Sequence, residues 1–177
     1  MWTIVKKQPI GILIDWDFAS GPVSHPPEDP QQTAFTLNVA FLAIDLLKME
    51  CVPRLYRHDL ESFFWVFWSI IISKADVNGL DEYVTISDWE SDSVPRRWVA
   101  KTAFLDRGRH QVIKRLEISQ QSGLSHPGVI TCLSRLSNLV SKGQDALEGR
   151  AQTTNVETAD GNITYTEFVA AVKFSIQ

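Results

Sequence analysis

The stretch Arg57-His58-Asp59-Leu60-Glu61-Ser62-Phe63-Phe64-Trp65-Val66-Phe67-Trp68-Ser69-Ile70-Ile71-Ile72-Ser73 decides the fold. It opens on charged residues and runs into the most hydrophobic segment of the chain, residues 63–73. That segment is too short to cross a bilayer, which takes ~20 apolar residues. A helix apolar all round is instead one buried in a sizeable core. The pattern predicts such a central helix over 59–74, with Asp59 placed to cap its N-terminus.

Working outward, residues 40–49 (AFLAIDLLKM) are expected to form a short helix, and residues 50–58 a connector containing Pro53. Nearer the N-terminus, Gly11-Ile12-Leu13-Ile14 ends in Asp15 and Asp17, and residues 10–16 have the pattern of a buried strand. Gly21, Pro22, Pro26, Pro27 and Pro30 break any regular element over 20–36. Beyond the central helix, residues 75–94 are polar and acidic, with a turn at Asn78-Gly79. Pro95 opens a helical pattern in which Trp98, Thr102 and Leu105 share a face. Residues 109–118 and 127–142 carry similar patterns, 119–126 and 143–160 have loop composition, and a terminal helix is expected over 164–176. The prediction is a mainly α fold with one or two short N-terminal strands.

Length and composition suit one domain over 1–177 with a real core. Hydrophobic residues make up 44% and charged residues 21% of the chain, and six Trp with nine Phe promise a large apolar interior or an exposed apolar face. The net charge of −4 and the absence of a Lys/Arg block argue against nucleic-acid binding. No membrane segment is expected. Cys51 and Cys132 lack a Cys-x-x-Cys spacing and suit free thiols in a reducing compartment. With no apolar run after the N-terminal charges, no signal peptide is expected, so the expected location is intracellular.

Two acids in a tight turn after an apolar strand suit Mg²⁺, which takes hard oxygen ligands and commonly one or two carboxylates plus phosphates. Asp15 and Asp17 are the candidate metal ligands. The bland alternative is a strand followed by a solvated turn. The four His are scattered, and no His/Cys pair has metal-ligand spacing.

Three segments together resemble the fungal-type protein kinase family. They are Leu13-Ile14-Asp15-Trp16-Asp17-Phe18-Ala19, then Ala43-Ile44-Asp45-Leu46-Leu47, then Tyr56-Arg57-His58-Asp59-Leu60-Glu61-Ser62-Phe63-Phe64, the last being the most specific. The resemblance implies a helical bundle like a protein-kinase C-terminal lobe around a buried central helix. It implies ATP and Mg as cofactors and phosphoryl transfer to protein Ser or Thr in a complete member. Asp15 then stands at the metal-binding Asp of the Asp-Phe-Gly turn. Trp16 replaces the Phe and Asp17 the Gly, a change that removes backbone freedom. Residues 15–45 take the place of the activation segment, which holds Thr33, Thr36 and Asn38, with Asn38 where family members tend to have a Thr. Asp45 stands where kinases have the Glu of Ala-Pro-Glu, a structural ion-pair partner, for which Arg115 is the candidate. Arg57 and Asp59 mark the start of the central helix, and Asp59 is implied to position that helix rather than to transfer protons. Arg57-His58-Asp59 is not a catalytic His-Arg-Asp motif, because that motif precedes the acidic turn and is followed by Lys and Asn.

These residues contain no Gly-rich phosphate loop, no strand Lys with a helix Glu partner and no catalytic-loop Asp or Asn. Phosphoryl transfer depends on all of these acting together. The chain is therefore expected to be a partial domain, inactive on its own. A second class of function is a pseudokinase-like interaction module, whose partners would be another protein, a missing kinase lobe or a second copy. A third reading is Ca²⁺ binding at Asp160-Gly161-Asn162-Ile163 with Glu167, the second half of an EF-hand-like loop. Its first half places Val156 and Thr158 where Asp or Asn should stand.

Overall fold

The computed structural model describes residues 2–5, 8–11, 39–48, 52–75, 86–118, 126–149 and 155–173. The chain divides into two compact units, Met1–Thr36 and Leu37–Gln177. The molecule is mainly helical, as expected.

In the first unit, β1 (Trp2–Val5) pairs antiparallel with β2 (Gln8–Gly11), with Trp2 opposite Gly11 and Val5 opposite Gln8. The strand expected over 10–16 overlaps β2 at residues 10 and 11, and positions 12–16 lie outside the described residues. Pro9 has no N–H to give a ladder, which suits a two-stranded ribbon whose strands each keep an open edge.

The second unit starts with two 3-10 turns, Val39–Phe41 and Asp45–Leu47, in place of the helix expected over 40–49. The reason is that its backbone groups are claimed elsewhere. Glu61 accepts the Ile44 N–H and Lys101 donates to the Leu42 carbonyl, so an i→i−4 ladder cannot form there.

The central helix α1 (Tyr56–Lys74) begins three residues earlier than the helix expected over 59–74. His58 explains the early start. Its Nδ1 accepts the Leu55 N–H at 3.0 Å, the part that a third-position Glu or Gln plays in a capping box. After α1 come α2 (Ile86–Trp89), α3 (Val94–Ala103) and α4 (Arg109–Ile118), followed by α5 (Pro127–Glu148) and α6 (Tyr165–Lys173). Ser93 caps α3 through the Arg96 N–H, His126 caps α5 through the Gly128 N–H, and Thr164 caps α6 through the Glu167 N–H. A π-turn, Phe104–Gly108, runs α3 into α4. A Cβ on Gly108 would lie 2.8 Å from the Phe104 ring, so a larger residue there would have to displace that ring.

The core is aromatic. Trp65 and Trp68 of α1 meet Trp89 and Phe104 in edge-to-face contacts, with ring centroids 4.9 Å apart for Trp68–Phe104 and 5.0 Å for Trp65–Trp89, and Phe64 packs edge to face on Trp65 and Trp68. Such pairs each add about 0.5–1.5 kcal/mol beyond their area. Val112, Leu133, Leu136 and Val140 close this core from α4 and α5.

Two expectations are corrected here. First, α1 is not buried all round. Phe63 is 54% and Ile70 51% exposed, so one side of the helix faces outward. Second, α5 continues through residues 143–148, which composition marks as loop. Gly143 is a contact rather than a break. It lets Ile163 of the tail come so close that a Cβ on residue 143 would lie 2.5 Å from Ile163 Cδ1. Leu60, Leu147, Ala159 and Ile163 form a second, smaller cluster around that contact.

Gly143→Ala tests this packing. Overpacking costs about 1–3 kcal/mol, and the gain in helix propensity returns up to about 1 kcal/mol. The expected result is a lowered melting temperature. Adding Ile163→Val, which removes Cδ1, should recover part of the loss, whereas Ile163→Val alone should not raise it.

Candidate functional site

The polar centre of the second unit lies where α1 starts. Arg57 is fully buried, and its Nη2 donates to Asp45 Oδ2 at 2.6 Å. Its Nε donates to the Val156 carbonyl at 2.7 Å. One guanidinium therefore ties the Asp45 turn, the start of α1 and the tail loop together. His58 completes the pair. Its Nδ1 is occupied as an acceptor, so the ring proton sits on Nε2, which stands 3.0 Å from Asp45 Oδ1. Burial alone would raise the Asp45 carboxyl. The hydrogen bonds and charges of His58 and Arg57 outweigh burial and hold it well below the usual carboxylate range.

One turn further along α1, Glu61 is also fully buried. Its Oε1 accepts the Ile44 N–H at 2.8 Å and the Trp65 indole N–H at 3.1 Å, while its Oε2 accepts the Gln144 amide at 3.0 Å. Burial pushes this carboxyl up in spite of these bonds and of the Lys101 charge. Lys101 of α3 donates to the Leu42 carbonyl at 2.5 Å and lies over the Trp65 ring, 4.5 Å from its centroid. Burial pushes its ammonium down to about 7, with Glu61 pulling against the shift and Arg97 adding to it.

The sequence-level candidates are distributed as follows. Asp15, Asp17, Thr33, Thr36 and Asn38 lie outside the described residues. Asp45 and Arg57 are brought together, so the ion-pair partner of Asp45 is Arg57, with His58, and not Arg115. Asp59 is exposed and pairs with Arg54 at 2.6 Å. Among the described residues no group of three or more His, Cys, Asp or Glu side chains is arranged to hold a metal ion. In the tail loop, Asn155 Oδ1, Thr158 Oγ1 and Asp160 Oδ1 accept the backbone N–H groups of Thr158, Gly161 and Asn155. These oxygens therefore brace the loop itself, through its left-handed residues Ala159, Asp160 and Gly161. No helix among the described residues is long and apolar enough to cross a membrane.

Sequence reading missed Glu61, His58, Lys101 and Gln144. Glu61 left a signal, a lone acid inside an apolar helix. Lys101 left a misleading one. Helical spacing puts Trp98, Thr102 and Leu105 on one face of the pattern; Leu105 is in the core and Trp98 packs against it, but Arg97, Ala100, Lys101 and Phe104 are buried too and Val99 is exposed. The helix is turned by about one residue, or roughly 100°, so two cations point inward.

Comparison with known proteins adds a family. Residues 4–71 match the family described as fungal protein kinase. That stretch runs from the N-terminal strands through most of α1 and is similar to part of the fungal protein kinase domain. No curated protein and no solved structure matches the chain.

Asp45→Ala should leave Arg57 and His58 buried without their acceptor. Removing one member of a buried pair costs about 3–5 kcal/mol, to be read as a loss of unfolding free energy in urea. The pH dependence has a definite sign. A carboxyl depressed in the folded state contributes stability that is full above its unfolded pKa, ~3.9, and is lost as pH falls further. Asp45→Asn should therefore flatten the fall in stability below about pH 4. A variant as steep as the parent would remove Asp45 from this role.

Proposed function

We propose that this chain is the C-lobe-like portion of a fungal-type protein kinase domain and does not transfer phosphate by itself. The observation that carries the reading is the family match over residues 4–71, which contains both halves of the Asp45–Arg57 pair. A kinase lobe needs the end of its activation segment anchored to the central helix, and this buried ion pair supplies such an anchor. Asp15, and less strongly Asp17, would be the Mg²⁺ ligands, and ATP the nucleotide. When bound, Mg²⁺ would supply charge neutralisation for the nucleotide's phosphates. The remaining parts that position nucleotide and acceptor hydroxyl have no counterpart in these residues, so the proposed role is non-catalytic.

A single-turnover reaction with labelled ATP, Mg²⁺ and a generic Ser/Thr protein substrate should give no transfer. Transfer above a no-protein control would overturn the inactive reading. A melting curve with ATP, with and without Mg²⁺, separates the rest. A Mg²⁺-dependent rise that Asp15→Asn abolishes would support a residual nucleotide site.

A second reading is favoured by the outward face of α1. Phe63 and Ile70 are both more than half exposed and lie seven residues apart, two turns along one side of the helix. Exposed apolar surface of this kind marks interaction sites. As a pseudokinase-like module, the chain would use this face on a protein partner, a kinase lobe supplied in trans or a second copy. Light scattering should show concentration-dependent association that Phe63→Ser with Ile70→Ser removes. A monomer at all concentrations would eliminate self-association through this face.

A further inference from the structure

The outward side of α1 carries more order than its exposure alone. Asp59, Phe63, Val66, Ile70 and Ser73 follow one another at steps of four and three, so they form one stripe along the helix, and Lys74 closes it beside Ser73. Phe63 and Ile70 are exposed, and Val66 between them is half-buried. Ser62, Ser69 and Ser73 flank the stripe. Their hydroxyls donate to carbonyls of the same helix, those of His58, Val66 and Ile70. The flank is small and its hydroxyl donors are spent within the helix, so a second backbone can approach without stranding them.

The charges at the two ends of the stripe are opposite and placed symmetrically. Asp59 and Phe63 precede the midpoint between Val66 and Phe67 by the same distances at which Lys74 and Ile70 follow it. A second α1 turned end for end about that midpoint sets Phe63 against Ile70 and Asp59 against Lys74, each pair occurring twice. A parallel copy would instead set Asp59 against Asp59 and Lys74 against Lys74. Arg54 already holds Asp59 Oδ1 at 2.6 Å, but this pair is exposed and a carboxylate accepts from more than one donor.

We propose that the outward face of α1 binds a second copy of this chain, antiparallel, about a two-fold axis between Val66 and Phe67, an assignment that rests on the reading of this face as an interaction surface. A two-fold contact needs one self-complementary patch, and the stripe is one. Its apolar part covers about two turns, at the low end of the areas that hold proteins together. The pair is therefore weak and reversible, and the end charges set the direction of pairing more than they add affinity.

Sedimentation of the full chain over a wide concentration range reads the association, and variants at positions outside the buried core read its geometry. Asp59→Lys and Lys74→Asp each turn two attractive pairs into repulsive ones and should raise the dimer Kd about tenfold. The two substitutions together should restore it. Val66→Cys sets the two thiols about 1.5 Å apart along the helix direction, within disulfide reach, and should give a linked dimer on mild oxidation, judged against the parent. Ser73→Cys sets them about 20 Å apart and should not. Association that Phe63→Ser with Ile70→Ser removes, but that ignores the charge swaps or links Ser73→Cys as readily as Val66→Cys, would overturn this pairing and leave the face an interaction surface. A chain monomeric at every concentration would overturn the second copy as partner. Association untouched by Phe63→Ser with Ile70→Ser would overturn the face itself.

Discussion

The Arg57 guanidinium is the point on which the second unit depends. It is buried completely, and a buried charge without partners is costly enough to unfold a small domain. Its partners come from positions far apart in the chain, Asp45 and Val156. The guanidinium suits this work because its planar fork offers several donors in fixed directions. The chain therefore has to bring the 3-10 turns and the tail loop to the N-terminus of α1 before Arg57 can be buried at all. The smaller apolar cluster of Leu60, Leu147, Ala159 and Ile163 follows from that constraint, because the tail loop can reach Val156 to Arg57 only by lying against α5. Gly143 supplies the clearance.

A second consequence concerns specificity. The aromatic core would form with many small variations in register, since Trp and Phe rings tolerate several edge-to-face arrangements. The polar bonds do not. Glu61 fixes Ile44 and Trp65 through one oxygen and Gln144 through the other, which sets α5 and the turn segment against α1 to within one residue. Lys101 repeats the constraint from α3. Buried networks of this kind gain less free energy than apolar packing would, but they penalise every alternative that leaves a member unpaired.

Much of this was legible in the residues, and the failures have physical causes. The helix set, the central role of α1 and the short N-terminal strands follow from apolar runs, Pro and cap residues, which are local signals. The family relationship was legible from Tyr56–Phe64 because that stretch combines a buried cation, a capping His and a buried Glu in one helical turn and a half. The partner of Asp45 was not legible. Any of several arginines satisfies a charge rule, and only the burial of α1 shows that Arg57 reaches it first. The 3-10 turns failed for a related reason. Ala-Phe-Leu-Ala-Ile has good helix formers, but propensity is a weak prior against bonds from Glu61 and Lys101 that are distant in sequence. Gly143 misled because a helix-breaking residue and a close-packing residue look the same in one dimension.

The same logic explains why α3 faces inward with its cations. An amphipathic helix normally buries its apolar stripe, because burying a Lys costs more than burying a Val gains. Here the exposure of Val99 and the burial of Lys101 reverse that order. The reversal is sustained because the Lys101 stem and head meet three compensations at once: a carbonyl, the negative face of Trp65, and the field of Glu61. Remove any one and the balance moves toward turning α3 outward by a residue. The helix is thus placed by its buried cations together with Ala100 and Phe104, which share that face. The π-turn at Phe104–Gly108 reconciles this placement with α4, since the extra residue in that turn restores an ordinary apolar stripe, Val112 and Leu116, to the core.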